Sequence, residues 1–297
     1  MSIPIVQPNE PLNKLDSVTF DQMLEQQYPF GKQDPLIDLG DIRLISPAGL
    51  VQLASLCFAL VEEGLNPTIL VQDSLVRSYL RCSGFLSVID GIAGIKPPLS
   101  QTTSQGYEIM RGSNPMLIEV TKVKTSSELP DLLDRIIWVL RYRLKYRKHE
   151  TFDIATAASE ILQNTFDHNK SACGFVAMQV YGHGRDSFLE LGVADYGDGL
   201  AVTLARNPKN NPIVSDIEAI KKAIEPGTSE YPDPTRGTGL YHLLEIAYKH
   251  EGSVQIRSGG AKARFRMDKR KGWGFHVPKM PGVQISINLP AKIKSGP

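Results

Sequence analysis

The sequence has little cysteine, no long apolar run and no excess of charge of either sign. Its three cysteines, Cys57, Cys82 and Cys173, are odd in number and far apart. This argues against a disulfide framework or a zinc ribbon and suits a reducing compartment. No window approaches the roughly 20 apolar residues of a membrane-spanning helix. Residues 1–9 lack the basic start and apolar run of a signal peptide, so we expect a cytoplasmic protein with no membrane partner.

The charge is almost balanced, with 33 Lys and Arg against 32 Asp and Glu in 297 residues. A balanced chain has no global field that would attract nucleic acid or a membrane surface, so such a partner would need a local patch. Apolar residues make up 41% of the chain and charged residues 22%, which excludes wholesale disorder. Because domains usually have roughly 100–200 residues, the length predicts two domains, with one large domain as the weaker alternative.

A change of composition marks the boundary between these domains. Residues 94–106 read GIKPPLSQTTSQG, with adjacent prolines, small polar residues and little apolar bulk. Such a stretch is typical of a linker. We therefore predict an N-terminal domain over residues 1–93, a linker over 94–113 and a C-terminal domain over 114–297.

Strand and helix patterns alternate in the N-terminal domain. Residues 36–39 and 68–71 are short apolar runs suited to buried strands. Ser46 and Pro47 predict the start of a helix, as an N-cap and a first-turn proline. That helix, over residues 47–63, is apolar almost all round and should be buried. The alternation predicts an α/β fold.

Residues 36–90 contain the segments IDLGDIRLISPAGLVQL and NPTILVQDSLVRSYLRCSGF. They resemble the STAS domain of anti-sigma-factor antagonists. In that family a serine one place before the glycine of a strand-end turn is phosphorylated. Here the turn reads SPAG over residues 46–49, so Ala48 occupies the acceptor position. The residues before Leu36 depart from the family's opening strands, since residues 20–27 predict a helix.

The C-terminal domain shows a different order of elements. We predict helices over residues 129–147, 152–168 and 239–250. We predict strands over residues 116–123, 175–180, 188–194, 253–258 and 283–289. This order favours an α+β sandwich with helices on one face of a mixed sheet.

Three short patterns in this domain point to a ligand. Glu160, Asn164 and His168 follow at i, i+4 and i+8 and share one helix face, although alone they also fit a solvated face. The sequence DYGDG over residues 195–199 places an acid at a strand end before two glycines, which lets backbone approach a flat ligand; an Asp-Gly turn has the same pattern. The sequence RGTGL over residues 236–240 opens a helix whose N-terminus suits phosphate, but a lone Gly-x-Gly is weak evidence.

Together and in this order, the three patterns resemble the N, G1 and G2 boxes of the GHKL ATPases, over residues 114–290. The segment FDIATAASEILQNTFDH resembles the anti-sigma-factor serine kinases more than the histidine kinases. No phosphoacceptor-histidine helix precedes it, since residues 129–148 contain no histidine. The resemblance implies a Bergerat-type α/β sandwich that binds ATP and Mg²⁺.

The resemblance also implies a role for each residue. Asn164 would ligate Mg²⁺ through its amide oxygen, which suits a hard cation. Glu160 would be the general base. Asp195 would accept a hydrogen bond from the adenine amino group, and Gly197 and Gly199 would shape that pocket. Gly237, Thr238 and Gly239 would cradle phosphate. The remaining cofactor-binding positions are Leu240 and His168.

Residues 200–235 would form the ATP lid, since a loop of that length is usually functional or disordered. Two positions depart from the family. Tyr241 stands where another glycine is common, and we expect it to narrow the phosphate end. Val283 follows Gly282 where threonine is common, which removes one polar contact to the base.

Basic and aromatic residues alternate over residues 141–148 and again over 264–273. Such patches could contact a phosphate backbone or an acidic partner. No nucleic-acid-binding motif accompanies them, so we favour a solvated helix face and a surface hairpin. The second patch interrupts the terminal strands like an insertion, and its Trp273 could anchor a partner. The scattered histidines have no metal-ligand spacing and are interpreted as structural or surface residues: His183, His242, His250 and His276.

The sequence therefore predicts an ATP-binding regulatory protein that resembles the anti-sigma-factor serine kinases. Whether it hydrolyses ATP slowly or phosphorylates serine or threonine is left open. The alternatives are a non-catalytic module gated by nucleotide and, with less support, a nucleic-acid-associated ATPase. We expect a protein partner, either a regulatory factor or a STAS-type antagonist, and a homodimer is left open.

Because Ala48 has no hydroxyl, we expect no phosphorylation over residues 41–49. Ser46 is the nearest substitute, but an N-cap serine is more simply structural. Mass spectrometry after incubation with Mg-ATP should find this segment unmodified. Phosphate on Ser46 would overturn the prediction.

Overall fold

The structure is a computed structural model that describes residues 5–6, 13–25, 33–98, 117–167, 173–231, 237–266 and 271–292. It is a mixed α/β fold. In chain order, the elements of the N-terminal unit are β1 (Ile5–Val6), β2 (Lys14–Leu15), α1 (Thr19–Leu24), β3 (Leu36–Asp38), β4 (Leu44–Ile45), α2 (Pro47–Glu62), β5 (Thr68–Leu70), α3 (Ser74–Cys82), α4 (Phe85–Val88) and β6 (Gly94–Lys96).

The N-terminal unit is built on a four-stranded parallel sheet in the order β1-β3-β5-β6. A separate parallel pair joins β2 to β4. The predicted strands and the alternation of strand and helix are thus confirmed. Two short strands also occur before Leu36, in addition to the helix α1 that was expected there.

Helix α2 forms where the sequence predicts it. The Ser46 hydroxyl accepts a hydrogen bond from the Gly49 N–H at 3.3 Å, and Pro47 lies in the first turn. Every side chain from Pro47 to Leu60 is buried. An apolar surface on all sides requires partners on all sides, so α2 is the central helix of the N-terminal unit.

The predicted linker begins too early. Strand β6 lies inside it and pairs with β5, with Lys96 opposite Leu70. This strand lies at the edge of the sheet and none of its three residues is buried, so it needs no apolar run and composition did not reveal it. The N-terminal unit therefore extends at least to Lys96. The rest of the predicted linker, after residue 98, lies outside the described residues.

The C-terminal unit is built on a five-stranded sheet. Its elements are β7 (Leu117–Val123), α5 (Leu129–Tyr142), α6 (Lys148–Asp167), β8 (Gly174–Tyr181), β9 (Phe188–Ala194), α7 (Gly199–Ala205), α8 (Asp216–Ala223), α9 (Gly239–Lys249), β10 (Ser253–Arg266) and β11 (Lys271–Pro290). The strand order is β10-β11-β9-β8-β7. Every pairing is antiparallel, so the prediction of a mixed sheet is wrong. Short connections such as that between β8 and β9 permit only antiparallel neighbours.

Both faces of this sheet are buried, which corrects the expectation of helices on one face. On β8, Val176 and Met178 join an apolar cluster with α5, α6 and α9. Phe175 and Ala177, which point to the opposite face, join a second cluster with α2. The two predicted domains therefore share a hydrophobic core, and the sheet lies between two layers of helices.

The described part of the second basic patch is paired as a hairpin requires. Residues 264–266 continue β10 and residues 271–273 continue β11, with Arg264 paired with Trp273 and Phe265 with Gly272; residues 267–270 lie outside the described residues. Irregularities in register between Ser258 and Ala261 let both strands continue past the bend. The helix predicted over residues 129–147 ends at Tyr142, so most of the first patch lies in the connection to the next helix rather than on a helix face. There Leu144 and Tyr146 are buried while the basic residues around them are exposed.

The described residues can be compared with two expectations from the sequence, which concern membrane-spanning helices and disulfides. No helix in the described ranges has both the length and the apolar character that crossing a membrane requires. Cys57, Cys82 and Cys173 are free thiols.

A buried ionic cluster attaches α1 to the C-terminal sheet. The Asp21 carboxylate accepts a hydrogen bond from Arg257 Nε at 2.7 Å and a second from Lys262 Nζ. Lys262 Nζ also donates to the backbone carbonyl of Ser17. All three charged side chains are less than a tenth exposed. Asp21 is thus the carboxylate that faces two buried cations.

Replacing Asp21 should destabilise the protein strongly. Asp21→Ala leaves Arg257 and Lys262 buried without their counter-ion, which should lower the free energy of unfolding by about 3–5 kcal/mol. Glu25→Ala, at an exposed position just after the same helix, is the matched control and should change it by less than about 0.5 kcal/mol. Urea unfolding measures both. Equal effects of the two substitutions would contradict the assignment.

Candidate functional site

A cavity of about 270 Å³ lies between α6, the N-terminus of α9 and the adjoining ends of β9 and β11. It brings together residues from all three of the sequence patterns. The predicted site residues that line it are Glu160, Asn164, Asp195, Gly199, Gly237, Thr238, Gly239 and Leu240. Two positions, His168 and Arg236, lie outside the described residues. The three patterns, spread over residues 160–240, therefore meet at one concave surface.

Asp195 supplies a buried carboxylate at the strand end of the cavity. Its side chain follows β9 and is 4% exposed. Oδ1 accepts hydrogen bonds from the Gly197 N–H at 2.9 Å and from the Val283 N–H at 3.3 Å. Gly197 is not a lining residue but holds this carboxylate. Within the described ranges no hydrogen bond uses Oδ2, which leaves an acceptor for a ligand.

Burial also changes the titration of Asp195. Removal from water raises the pKa of its carboxyl to about 6, against the opposing effect of the two backbone hydrogen bonds. The nearby Asp198 carboxylate raises this pKa further. At neutral pH the group is still ionised. The cavity thus holds an anionic acceptor whose charge is poorly solvated.

The N-terminus of α9 forms the opposite side of the cavity. The Thr238 side chain makes no capping hydrogen bond, and the first N–H groups of a helix have no intrahelical partner. Gly239 approaches α6 so closely that a Cβ there would lie 3.0 Å from Glu160 Oε2. The Gly237 carbonyl accepts from the Gly227 N–H at 3.2 Å. This geometry places partial positive charge next to α6.

Glu160 lies beside this helix N-terminus with an unsatisfied oxygen. Its Oε2 is buried and has no hydrogen-bond partner among the described residues. The imidazole Nδ1 of His242 lies 3.7 Å from this oxygen. His242 was interpreted as a structural or surface residue, and its side chain is half exposed. It belongs to the first turn of α9 and is not among the residues that line the cavity.

Asn164 completes the polar side of the cavity. Its amide makes no hydrogen bond to any residue in the described ranges, and it faces Gly239, where a Cβ would lie 3.8 Å from Nδ2. The described residues contain no cluster of three or more His, Cys, Asp or Glu that could hold a metal ion. One amide oxygen suits Mg²⁺ only when phosphate oxygens and water supply the other ligands, which is how proteins usually bind this ion.

The predicted lid is not a continuous loop. It contains most of α7 and all of α8, and only residues 232–235 of it lie outside the described residues. Ser215 caps α8 by accepting from the Glu218 N–H at 3.1 Å, and Ala219 and Ile220 are buried. The cap and the buried side chains explain why α8 forms within the segment. The Arg206 guanidinium lies 2.7 Å from the Glu230 carboxylate and also pairs with Asp198, which connects two parts of the segment.

The structure contradicts the first of the two expected family departures, leaves the second a prediction, and adds lining residues. Tyr241 is not among the lining residues, because a helix turns by about 100° per residue and Leu240 takes the inward position. Val283 lines the cavity with its apolar side chain and binds Asp195 through its backbone. Lining residues that the sequence did not single out include Gln163, Thr203, Leu204 and Ile285.

No protein-family model matches the chain, and no curated protein matches it either. The site must therefore be interpreted from its own geometry.

The raised pKa of Asp195 has a measurable consequence. An ordinary aspartate titrates near pH 4 when unfolded, so between pH 4 and 6 the folded protein holds a proton that the unfolded chain has released. The free energy of unfolding of the wild type, relative to that of Asp195→Asn, should therefore fall as the pH rises from 4 to 6. The expected fall is about 2–3 kcal/mol for a pKa shift of two units. Urea unfolding of both proteins from pH 4 to 7 measures the difference. A constant difference would show that the carboxyl has an ordinary pKa.

Proposed function

We propose that the chain is an ATP-binding regulatory protein of the GHKL type, similar to the anti-sigma-factor serine kinases, with an N-terminal STAS-like unit. One observation carries the proposal. A single cavity has a buried carboxylate at one end and, at the other, a glycine-flanked helix N-terminus beside a carboxylate and an amide. These are complementary to a base with an amino group and to a phosphate chain.

The adenine end is supported by Asp195. A buried carboxylate with one oxygen held by two backbone N–H groups and the other unused can accept a hydrogen bond from an exocyclic amino group. Apolar side chains of Val193, Leu204 and Ile285 line the cavity around it, as expected for a flat aromatic base. A base that presents an oxygen at this point would instead face a buried negative charge.

The phosphate end is supported by α9 and Asn164. The N-terminus of α9 offers unpaired N–H groups and the positive end of the helix dipole. Mg²⁺ bound at this end would neutralise phosphate charge. The Asn164 amide oxygen would be its protein ligand.

Glu160 is positioned for proton transfer. Its unsatisfied Oε2 lies at the phosphate end, 3.7 Å from His242 Nδ1. A carboxylate there can accept a proton from water, which gives hydrolysis, or from a serine or threonine of a partner protein, which gives phosphoryl transfer. If Glu160 takes no proton, the same cavity serves as a nucleotide-gated switch.

The N-terminal unit supports a regulatory role within the same chain. The turn that resembles the STAS phosphorylation site is closed off, since Ser46 and Ala48 are each about 1% exposed. Both contact the Glu190 carboxylate on β9. A unit held in this way is suited to regulate the nucleotide-binding sheet of the same chain. A separate regulatory factor or antagonist would bind at a surface other than this turn.

Two substitutions on α6 separate binding from chemistry. Asn164→Ala removes the proposed Mg²⁺ ligand and should weaken Mg-ATP binding by roughly tenfold or more, the value of a contact to a charged group. Glu160→Ala should leave binding nearly intact and lower phosphate release by about 10²–10⁴-fold. Calorimetry and a phosphate-release assay measure the two effects.

The exposed Thr156, one turn before Glu160 on α6 and outside the cavity, provides the control. Thr156→Ala should leave both quantities unchanged. Binding without any phosphate release in the wild type would select the switch over the enzyme. Tight Mg-ATP binding by Asn164→Ala would refute the assignment of α6 to the phosphate end, and no binding by the wild type would refute the proposal itself.

A further inference from the structure

Asp195, which faces the proposed adenine position, is also held from the opposite face of the sheet. Asp195 directs its carboxylate into the cavity, but its backbone carbonyl points to the other face of the sheet, where α2 lies. The Ser55 hydroxyl of α2 donates a hydrogen bond to this carbonyl at 2.7 Å. Ser55 is completely buried. A hydrogen bond across 140 positions of sequence thus connects the N-terminal unit to the key residue of the site.

Every backbone group of Asp195 is fixed by such contacts. Its carbonyl also accepts from Gln284 Nε2 at 3.1 Å, and its N–H donates to the Val283 carbonyl at 3.0 Å. Two of these three partners belong to β11, so Ser55 provides the contact that comes from outside the sheet. A serine within a helix commonly bonds to its own helix one turn back. Ser55 instead directs its hydroxyl across the interface.

The rest of α2 holds the neighbouring residues of β9 and the turn after it. Tyr196 packs against Phe58 of α2, with ring centroids 5.6 Å apart. At the other end of the strand, Ser46 donates to the Glu190 carboxylate at 2.6 Å. Between them, Gly192 leaves room for the helix, since a Cβ there would lie 2.8 Å from the Ala48 Cα. The first three turns of α2 therefore follow β9 from Glu190 to Asp195 and the turn after it.

We infer that Ser55 is a positioning residue that sets the orientation of the Asp195 carboxylate and, with it, the selectivity of the site for an amino-bearing base. The inference rests on the proposed function. In physical terms, the N-terminal unit determines which base the cavity accepts without touching the nucleotide. A small rotation of the Asp195 peptide would move the carboxylate away from the amino group, whereas the phosphate contacts at α9 belong to a different element.

The test compares ATP with inosine triphosphate, which carries an oxygen where ATP has the amino group. Calorimetry on the full chain should show that the wild type prefers Mg-ATP by about tenfold or more, the value of one hydrogen bond to a charged group. In Ser55→Ala this preference should shrink by about fivefold, mainly through weaker ATP binding, because the carbonyl loses one of two hydrogen bonds. A merely structural role would weaken both nucleotides equally and leave the ratio unchanged.

Ser46→Ala is the matched control at the same interface. It removes a buried hydroxyl of α2 that bonds to Glu190 rather than to Asp195, so it should lower the melting temperature without changing the ratio. If Ser55→Ala does not fold, Ser55→Cys, with a similar shape and a weak donor, is measured in the same way and should also lose preference. If the preference for ATP over inosine triphosphate is unchanged in Ser55→Ala, the inference about Ser55 is wrong, but the proposed function is not affected. Absence of any preference for ATP in the wild type overturns both this inference and the proposed adenine contact.

Discussion

Burial of strand β9 on both faces is the constraint on which the rest of the structure depends. Leu191 and Val193 pack towards α5, α6 and α9, while Glu190 and Ala194 face α2. A strand covered on both sides cannot shift in register without exposing one apolar set. The position of its last residue is therefore fixed. Because Asp195 follows directly, the geometry of the cavity is determined by packing that lies outside it.

The cavity combines two electrostatic environments that one flexible, charged ligand would satisfy together. At the strand end, burial raises the pKa of Asp195 and leaves one carboxylate oxygen unused. At the helix end, the N-terminus of α9 brings partial positive charge close to Glu160, whose buried Oε2 has no partner among the described residues. Each feature costs folding free energy when nothing is bound. Such unsatisfied groups are typical of binding sites rather than of structural cores.

Local chemistry made much of this predictable. Ser46 and Pro47 indicated the start of α2, and the observed helix begins at Pro47. The start of a helix or an acid at a strand end depends on neighbours within a few positions of sequence. That Glu160, Asp195 and Gly239 would meet was implied instead by the resemblance of the three patterns to a known family, and all three line one cavity.

Contacts between distant segments were not predictable. The length of β11 depends on its pairing with β10 and β9, and the helices of the lid depend on packing of residues such as Ile220. The apolar surface of α2 indicated burial but not the partner, because apolar burial is non-directional. Ser55 is an unremarkable serine in the sequence, and its importance comes only from the carbonyl it faces.

The central claim is that this cavity binds ATP with adenine at Asp195 and phosphate at α9. The most direct measurement is a crystal structure of the full chain with Mg²⁺ and a non-hydrolysable ATP analogue. The account predicts the adenine amino group within hydrogen-bond distance of Asp195 Oδ2, phosphate oxygens at the N–H groups that begin α9, and the cation on the Asn164 amide oxygen. An analogue bound elsewhere, or bound here with the base directed to α9, would contradict it.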